Sequence, residues 1–203
     1  MKKSPHCYLF STIITLFLVG CGYETQGQVA ESVDHRTTIP YNPLPSRSTS
    51  PVEAGVWTVV RIIDADTLIV GESEDRNQQY RVRLVGIDAP ELARGSTPAE
   101  PYADVATEFV RRKIEAAGNK VRLAFDGEQL DQYRRTRAMV WLNIDGSEVW
   151  LNELLVLEGY ARARLDFRYS HEAKLVFALA EWEARKDRRN LWSVGLDGIE
   201  GRQ

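Results

Sequence analysis

The sequence predicts an α+β domain, built as a small closed barrel of five β-strands with three α-helices around it. Five short segments rich in β-branched and aromatic residues have the patterning of strands. Three other segments carry apolar residues at helical spacing. Short strands and helices in this order favour the OB-fold, which is a five-stranded barrel. The chain has no internal repeat that would indicate a solenoid.

The predicted strands cover residues 56–63, 67–70, 79–86, 120–125 and 138–143. In the third strand, alternation places Val82 and Leu84 on one face and Arg81, Arg83 and Val85 on the other. The pair Asp-Gly at residues 145–146 follows the fifth strand and is typical of a tight turn.

The predicted helices cover residues 102–117, a short segment from residue 151, and residues 171–186. Gly118 and Gly159 end the first two, and Ser170 caps the third. One face of the third helix carries Leu175, Leu179 and Trp182. Because their neighbours are apolar, four tryptophans are expected in or against the core: Trp57, Trp141, Trp150 and Trp182.

Composition limits the class of protein. The 203 residues have room for one domain with extensions, and 43% hydrophobic content supports a core. The net charge is −3, from 26 Lys and Arg against 29 Asp and Glu. Proteins that coat nucleic acid nonspecifically are more often basic, so the balance argues against that class. Arginine supplies most of the cations, and its planar fork matches pairs of phosphate oxygens.

The start of the chain resembles a bacterial lipoprotein signal. Lys2 and Lys3 precede an apolar stretch at residues 8–19, and Leu-Val-Gly-Cys at residues 18–21 resembles a lipobox. We therefore expect a signal peptide at 1–20 and a lipid on Cys21, which would anchor the exported protein to a membrane of the cell envelope. The remaining boundaries are a flexible tether at 21–53, a folded domain at 54–194 and a tail at 195–203.

Three carboxylates form the first candidate site. Asp64 and Asp66 have the i, i+2 spacing that points two side chains to one face of an extended segment. Asp88 follows the third predicted strand. Hard oxygen ligands suit Ca²⁺ or Mg²⁺. Zinc is disfavoured, because His171 is the one histidine inside the predicted domain.

Cationic and acidic side chains close to these carboxylates indicate phosphodiester hydrolysis. Arg83 and Glu91 flank Asp88, and arginines recur at positions 134, 135 and 137. Such a reaction needs a metal to offset charge, an activated water, donors for the phosphorane oxygens and help for the leaving oxygen. Carboxylates, a metal, two arginines and a glutamate supply the first three of these requirements.

Four motifs follow one another along the chain. They are Ile-Asp-Ala-Asp-Thr-Leu at 63–68, Val-Arg-Leu-Val-Gly-Ile-Asp-Ala-Pro-Glu at 82–91, Asp-Gln-Tyr-Arg-Arg at 131–135 and Asn-Leu-Trp at 190–192. In this order they resemble the motifs of the staphylococcal nuclease (thermonuclease) family. Each motif alone is weak, but four in order at compatible separations are specific. The resemblance runs from about residue 56 to residue 193, and it implies an OB-type barrel with three helices.

The resemblance also implies a calcium site. Asp66 and Asp88 match the carboxylate ligands, and the backbone carbonyl of Ala89 matches a further ligand. Asp64 matches an acid that supports the metal site. The implied cofactor is therefore Ca²⁺.

The catalytic roles follow from the same resemblance. Arg83 and Arg135 match the arginines that grip the scissile phosphate, and Glu91 matches the general base. Tyr133 matches a tyrosine near the substrate phosphate. The implied activity is endonuclease and exonuclease cleavage of DNA and RNA that leaves 3′-phosphate ends. We expect a monomer and predict no protein partner.

The chain departs from the family pattern at several positions. The family prefers glycine where this chain has Ala65 and Arg134, and an apolar residue where it has Arg137. Alanine is compatible with the metal loop if φ stays negative there. Arg134 and Arg137 are candidates for solvated or substrate-steering charges. Phe167 and Tyr169 are candidates for stacking on bases or for packing.

Two other readings compete with an active nuclease. One is a non-catalytic OB-type module that binds nucleic acid or protein at the cell envelope. The other is an envelope-anchored adaptor with a structural Ca²⁺. Retention of the acidic, arginine and glutamate positions favours the enzyme over both.

Overall fold

The computed structural model describes residue 43, residues 52–71 and residues 78–193. Within these ranges the strands are β1 (Gly55–Asp64), β2 (Thr67–Gly71), β3 (Gln79–Leu84), β4 (Ile87–Asp88), β5 (Lys120–Ala124), β6 (Thr136–Ile144), β7 (Ser147–Trp150) and β8 (Arg162–Ala163). The α-helices are α1 (Ala103–Ala116), α2 (Leu151–Leu157) and α3 (His171–Lys186), and a 3-10 turn covers Asn190–Trp192.

Five strands form a closed barrel in the order β3-β2-β1-β5-β6. Parallel pairing of β3 with β6 closes it, with Val82 opposite Thr136 and Leu84 opposite Ala138. β7 extends the sheet beyond β6 through a hairpin at Asp145 and Gly146, which both have the positive φ of a two-residue turn. The predicted five-stranded barrel with three helices is therefore confirmed.

The end of β3 differs from the prediction. The strand stops at Leu84, two residues before the predicted end, and Val85 is buried instead of sharing the outward face of Arg83. The chain turns at Gly86, whose φ is +78°. A Cβ atom at Gly86 would lie 2.5 Å from Cε2 of Phe177 in α3. Glycine is therefore required here both for the turn and for the close approach of the helix.

A buried asparagine joins α2 to the barrel closure. The Oδ1 atom of Asn152 accepts a hydrogen bond of 2.8 Å from the Val140 amide, and its Nδ2 atom donates one of 2.8 Å to the Val85 carbonyl. The Val85 amide in turn donates to the Ala138 carbonyl at 3.0 Å. We call this group of Val85, Ala138, Val140 and Asn152 the seam. It holds the chain just after β3 against β6.

Helix α3 does not pack on the core through the face that carries Leu175, Leu179 and Trp182. Ala173, Phe177, Ala180 and Ala184 are buried. Small side chains let α3 approach the rest of the domain closely. The larger apolar residues on the other side, Leu175, Leu179 and Trp182, are exposed. The expectation that Trp182 packs in or against the core is therefore wrong, because Phe177 and three alanines form the buried face of α3. Trp57, Trp141 and Trp150 are half-buried or buried, as predicted.

The 3-10 turn after α3 caps α2. The Arg189 guanidinium donates to the Leu157 carbonyl at 2.8 Å, and Asn190 Nδ2 donates to the Glu158 carbonyl at 2.7 Å. These bonds satisfy carbonyls that the end of a helix leaves unpaired. The motif at 190–192 is therefore structural.

The structure bears on one predicted domain boundary. Val52, inside the predicted tether, is 1% exposed and belongs to the hydrophobic core, so the folded chain begins before residue 54. The signal peptide, Cys21 and the tail at 195–203 lie outside the described residues. None of the described helices is both long and apolar enough to cross a membrane.

Candidate active site

The candidate site lies where β1, β2, β3 and β4 come together at one end of the barrel. Asp64 ends β1, Asp66 sits in the turn to β2, and Asp88 ends β4. The register of β2 with β3 pairs Thr67 with Arg83, next to that turn. We call Asp64, Asp66 and Asp88 the carboxylate cluster.

Arg83 joins two members of the cluster. Its Nη1 atom forms an ion pair with the Asp66 carboxylate, and its Nη2 atom donates to Asp88 Oδ1 at 2.9 Å. The side chain of Asp66 is 2% exposed and that of Asp88 is 46% exposed. Arg83 therefore connects a buried carboxylate to one that faces solvent, and the three predicted residues are adjacent.

Asp66 is held by neutral donors as well. Its Oδ2 atom accepts a hydrogen bond of 2.8 Å from the Ala89 amide, and its Oδ1 atom accepts one of 3.1 Å from the Thr67 hydroxyl. The Leu84 amide donates to the Asp66 carbonyl at 2.8 Å. The bonds from the Ala89 amide and the Thr67 hydroxyl offset the cost of burying the carboxylate and fix its orientation.

Asp64 supports the turn. Its Oδ1 atom accepts a hydrogen bond of 3.3 Å from the Asp66 amide, and its Oδ2 atom accepts one of 2.8 Å from Arg94 Nη2. Ala65 between them is buried and is not among the residues with positive φ. Alanine therefore fits the turn without backbone strain.

Glu91 and Arg94 lie on the loop after β4. Arg94 Nη2 lies 2.9 Å from Glu91 Oε2, and the Glu91 side chain is 52% exposed. Sequence reasoning did not select Arg94. Its spacing of three residues from Glu91 was the available signal, but nothing in the sequence placed it against Asp64.

Arg135 and Tyr133 lie on a turn organised by Asp131. The Asp131 carboxylate accepts hydrogen bonds from the amides of Tyr133 and Arg135 at 2.9 and 2.8 Å, and from Arg135 Nε at 2.6 Å. Arg134 is exposed and has a φ of +61°. The Arg135 guanidinium lies 5.4 Å from the centroid of the exposed Tyr133 ring.

Arg83 is influenced by charged groups from several segments of the site. Burial lowers the pKa of the Arg83 guanidinium from its ordinary value, and the positive charge of Arg135 lowers it further. The negative charges of Asp88, Asp64 and Glu91 act in the opposite direction. Arginine stays protonated in proteins, so the site keeps a desolvated cation. Arg135 and Glu91 are close enough to act on it.

Comparison with known proteins decides the family. The family model described as staphylococcal nuclease homologue matches residues 81–194. The thermonuclease of Staphylococcus hyicus is 36% identical over 151 residues, which cover 74% of this chain and 83% of that protein. The thermonuclease of Staphylococcus intermedius is 36% identical over 146 residues, which cover 72% and 81%.

The chain belongs to the staphylococcal nuclease family. The endonuclease YncB of Bacillus subtilis is a further relative, 33% identical over 139 residues that cover 67% of this chain and 61% of that protein. The range matched by the family model contains Arg83, Asp88, Glu91 and Arg135 and begins after Asp66. The predicted family is therefore confirmed.

The structure explains why the staphylococcal nuclease family prefers glycine at one position where this chain departs from the pattern. The family's preference for glycine at position 134 agrees with the positive φ found there, which costs a residue with a Cβ atom some backbone energy. With arginine at position 134, the next residue, Arg135, pairs with Asp131 at 2.6 Å.

Arg164 places a further cation beside Asp88. Arg164 Nη1 lies 3.5 Å from Asp88 Oδ2, and Arg164 also forms two hydrogen bonds of 3.0 Å with Asp166. The Phe167 ring, 41% exposed, lies within 5.1 Å of the guanidinium carbons of both Arg137 and Arg164. Phe167 is therefore accessible for stacking.

Tyr169, the other stacking candidate, is buried. It packs on Phe177 of α3, and its hydroxyl donates to the Arg164 carbonyl at 2.8 Å. Burial raises the pKa of the Tyr169 hydroxyl well above its ordinary value. Tyr169 therefore has a packing role and is not accessible for stacking on bases.

Few side chains of this site could coordinate a metal ion. Within residues 52–71 and 78–193, no group of three or more His, Cys, Asp and Glu side chains is arranged to hold a metal ion. The acids that converge on Arg83 are the Asp66 and Asp88 carboxylates, with the Ala89 peptide bonded to Asp66.

Proposed function

We propose that this protein is a Ca²⁺-dependent nuclease that hydrolyses phosphodiester bonds of DNA, RNA or both and leaves 3′-phosphate ends. The observation that carries the proposal is the position of Arg83, which is paired with both Asp66 and Asp88 and lies within the electrostatic reach of Glu91 and Arg135. Three relatives named as thermonucleases or an endonuclease support the same class of activity.

The donor set fits Ca²⁺ better than a transition metal. Asp66 and Asp88 offer only hard oxygen ligands, and the Ala89 carbonyl belongs to the same loop. Calcium takes about six to eight oxygen ligands with flexible geometry and accepts waters among them. Two carboxylates and one carbonyl are therefore a sufficient protein contribution if waters complete the shell.

The protein's own groups supply the rest of the chemistry. When bound, Ca²⁺ would offset negative charge on the phosphate oxygens. Arg83 and Arg135 donate to the same oxygens, and they stabilise the charge that grows in the transition state. Glu91 accepts a proton from the attacking water. Partial burial of Arg83 strengthens its interaction with an anion, since the local dielectric is low.

Digestion of single-stranded DNA, duplex DNA and RNA by the purified full chain tests the proposal. We expect cleavage with Ca²⁺, loss of cleavage with the chelator EGTA and recovery when Ca²⁺ is added back. Products should carry 3′-phosphates, which block extension by a polymerase until a phosphatase removes them. Cleavage that resists EGTA contradicts the calcium requirement, and binding of nucleic acid without cleavage favours the non-catalytic module.

We further propose that the enzyme acts at the bacterial cell envelope, tethered through a lipid on Cys21. The lipobox-like sequence at residues 18–21 supports this proposal. Labelling of growing cells with a palmitate analogue should mark the wild-type chain and leave a Cys21→Ser chain unlabelled. Equal labelling of both chains contradicts the anchor.

A further inference from the structure

Arg94 lies between two acids of different kinds. Its Nη2 atom donates to Asp64 Oδ2 at 2.8 Å and lies 2.9 Å from Glu91 Oε2. The Asp64 side chain is buried, whereas about half of the Glu91 side chain is exposed. One nitrogen of Arg94 therefore connects the buried Asp64 carboxylate to the exposed Glu91 carboxylate, which would otherwise be free to change rotamer.

The loop around Arg94 is closed by three backbone–backbone hydrogen bonds and one bond from a backbone amide to a carboxylate. Arg94 and Thr97 exchange two hydrogen bonds of 2.9 Å across a turn in which Gly95 has a φ of +57°. The Glu100 amide donates to the Glu91 carbonyl at 2.9 Å, and the Glu91 amide donates to the Glu100 carboxylate at 3.2 Å. The backbone that carries Arg94 is thus fixed at both ends of the loop.

We propose that Arg94 is a positioning residue, which holds the Glu91 carboxylate in place to receive the proton of the attacking water. This inference rests on the proposed function. An exposed glutamate has several rotamers, and ordering them costs free energy. Arg94 orders Glu91 before substrate arrives, through a bond whose other end is anchored on buried Asp64. Displacement of a catalytic group by about 1 Å can cost a hundredfold in rate.

A loss of stability alone does not distinguish a positioning role for Arg94 from a purely structural one. Arg94 also compensates the buried charge of Asp64, and removal of one partner of a buried ion pair destabilises a protein. Arg94→Ala is therefore expected to lower the melting temperature in either case. The loss in rate must be measured below that temperature and separated from the loss in stability.

The experiment is a double-mutant cycle on the full chain, with the variants Arg94→Ala, Glu91→Gln and the two combined. We expect Arg94→Ala to lower kcat about 10- to 100-fold with little change in KM. Glu91→Gln should lower kcat about 10²- to 10⁴-fold. Added to Glu91→Gln, Arg94→Ala should change kcat less than about twofold, because coupled residues are not additive.

Two further variants complete the design. Arg94→Lys should recover most of the rate, because a single ammonium can meet both carboxylates that one nitrogen of Arg94 now meets. Arg111→Ala is the matched control, since Arg111 is similarly exposed and pairs with Glu108 at the same i, i+3 spacing away from the site. Its kcat should equal that of the wild type.

The outcomes separate this inference from the function on which it rests. A wild-type chain that cleaves no nucleic acid contradicts the proposed function. If the wild type cleaves, three results overturn the role of Arg94: an Arg94→Ala chain as fast as or faster than the wild type, an equal loss from Arg94→Ala in the Glu91→Gln chain, or an Arg94→Lys chain as slow as Arg94→Ala.

Discussion

The seam and the two buried acids of the carboxylate cluster, Asp64 and Asp66, both place polar atoms in the interior near the end of β3, yet these atoms are paired in different ways. At the seam, one neutral side chain, Asn152, pairs with backbone groups of Val85 and Val140. In the cluster, charged Asp64 and Asp66 pair with the guanidinium groups of Arg94 and Arg83, which come from separate segments.

From this difference we predict that the seam serves the fold and that the cluster serves the proposed chemistry. Backbone partners at the seam have no other use, and leaving them unpaired would cost free energy. In the cluster, an arginine can leave its carboxylate to bind a phosphate, and the carboxylate can then bind a cation. We therefore expect seam variants to lose stability but keep their activity per folded molecule, and cluster variants to lose activity per folded molecule.

Arg83→Ala should break the cluster with the largest effect. It removes a donor to the phosphate, so kcat/KM should fall about 100- to 1,000-fold, as for other lost transition-state donors. Steady-state cleavage of single-stranded DNA by the folded variant is the measurement. Arg81→Ala is the control, because Arg81 is exposed on the same strand. Equal losses for both arginines would contradict a specific role for Arg83.

Asn152→Ala should break the seam and leave the cluster intact. Buried backbone groups lose their partner, so the free energy of unfolding should fall by about 3 kcal/mol. Urea denaturation measures it, and cleavage per folded molecule should not change. Asn143→Ala, which removes an exposed bond to the Gly146 amide, should cost less than about 1 kcal/mol. A variant at 152 that is stable but inactive would contradict the division.

Gly86→Ala tests the short segment between the two groups. Both Gly86 and Gly118 have positive φ, +78° and +66°, but a Cβ atom meets Phe177 at Gly86 and open space at Gly118. The strain of φ is common to both variants, so the difference isolates the clash. We expect Gly86→Ala to lose about 2 kcal/mol more than Gly118→Ala in thermal or urea unfolding. Equal losses would mean that α3 moves aside without cost.

Arg134→Gly should have the smallest effect and the opposite sign. It relieves the positive φ in the turn that carries Arg135, so stability should rise by about 0.5 kcal/mol. Gln132→Gly, in the same turn without positive φ, should instead lower stability by about 0.5 kcal/mol through backbone entropy. Differential scanning fluorimetry compares the two. Melting temperatures that fall in both variants would contradict strain at Arg134.

The sequence predicts the barrel and the separate site residues because both rest on local patterns. Alternation in β3, the turn at residues 145–146 and the cap at Ser170 are all visible within a few residues. The partners that orient the site are not, because Arg94 meets Asp64 and Arg164 meets Asp88 only after distant segments pack. The prediction for Trp182 in α3 failed for a related reason. Periodicity identifies an apolar face of a helix, but close packing against the barrel buries the face with Phe177 and the alanines instead.

Calorimetric titration of Ca²⁺ into the full chain tests the carboxylate cluster most directly. The wild type should bind Ca²⁺, and Asp88→Asn should weaken binding at least about tenfold, which is the effect of about 1.4 kcal/mol. Asp166→Asn, which changes another exposed acid paired with Arg164, should bind as the wild type does. A wild type that takes up no Ca²⁺, or an Asp88→Asn chain that binds it equally well, would contradict the account.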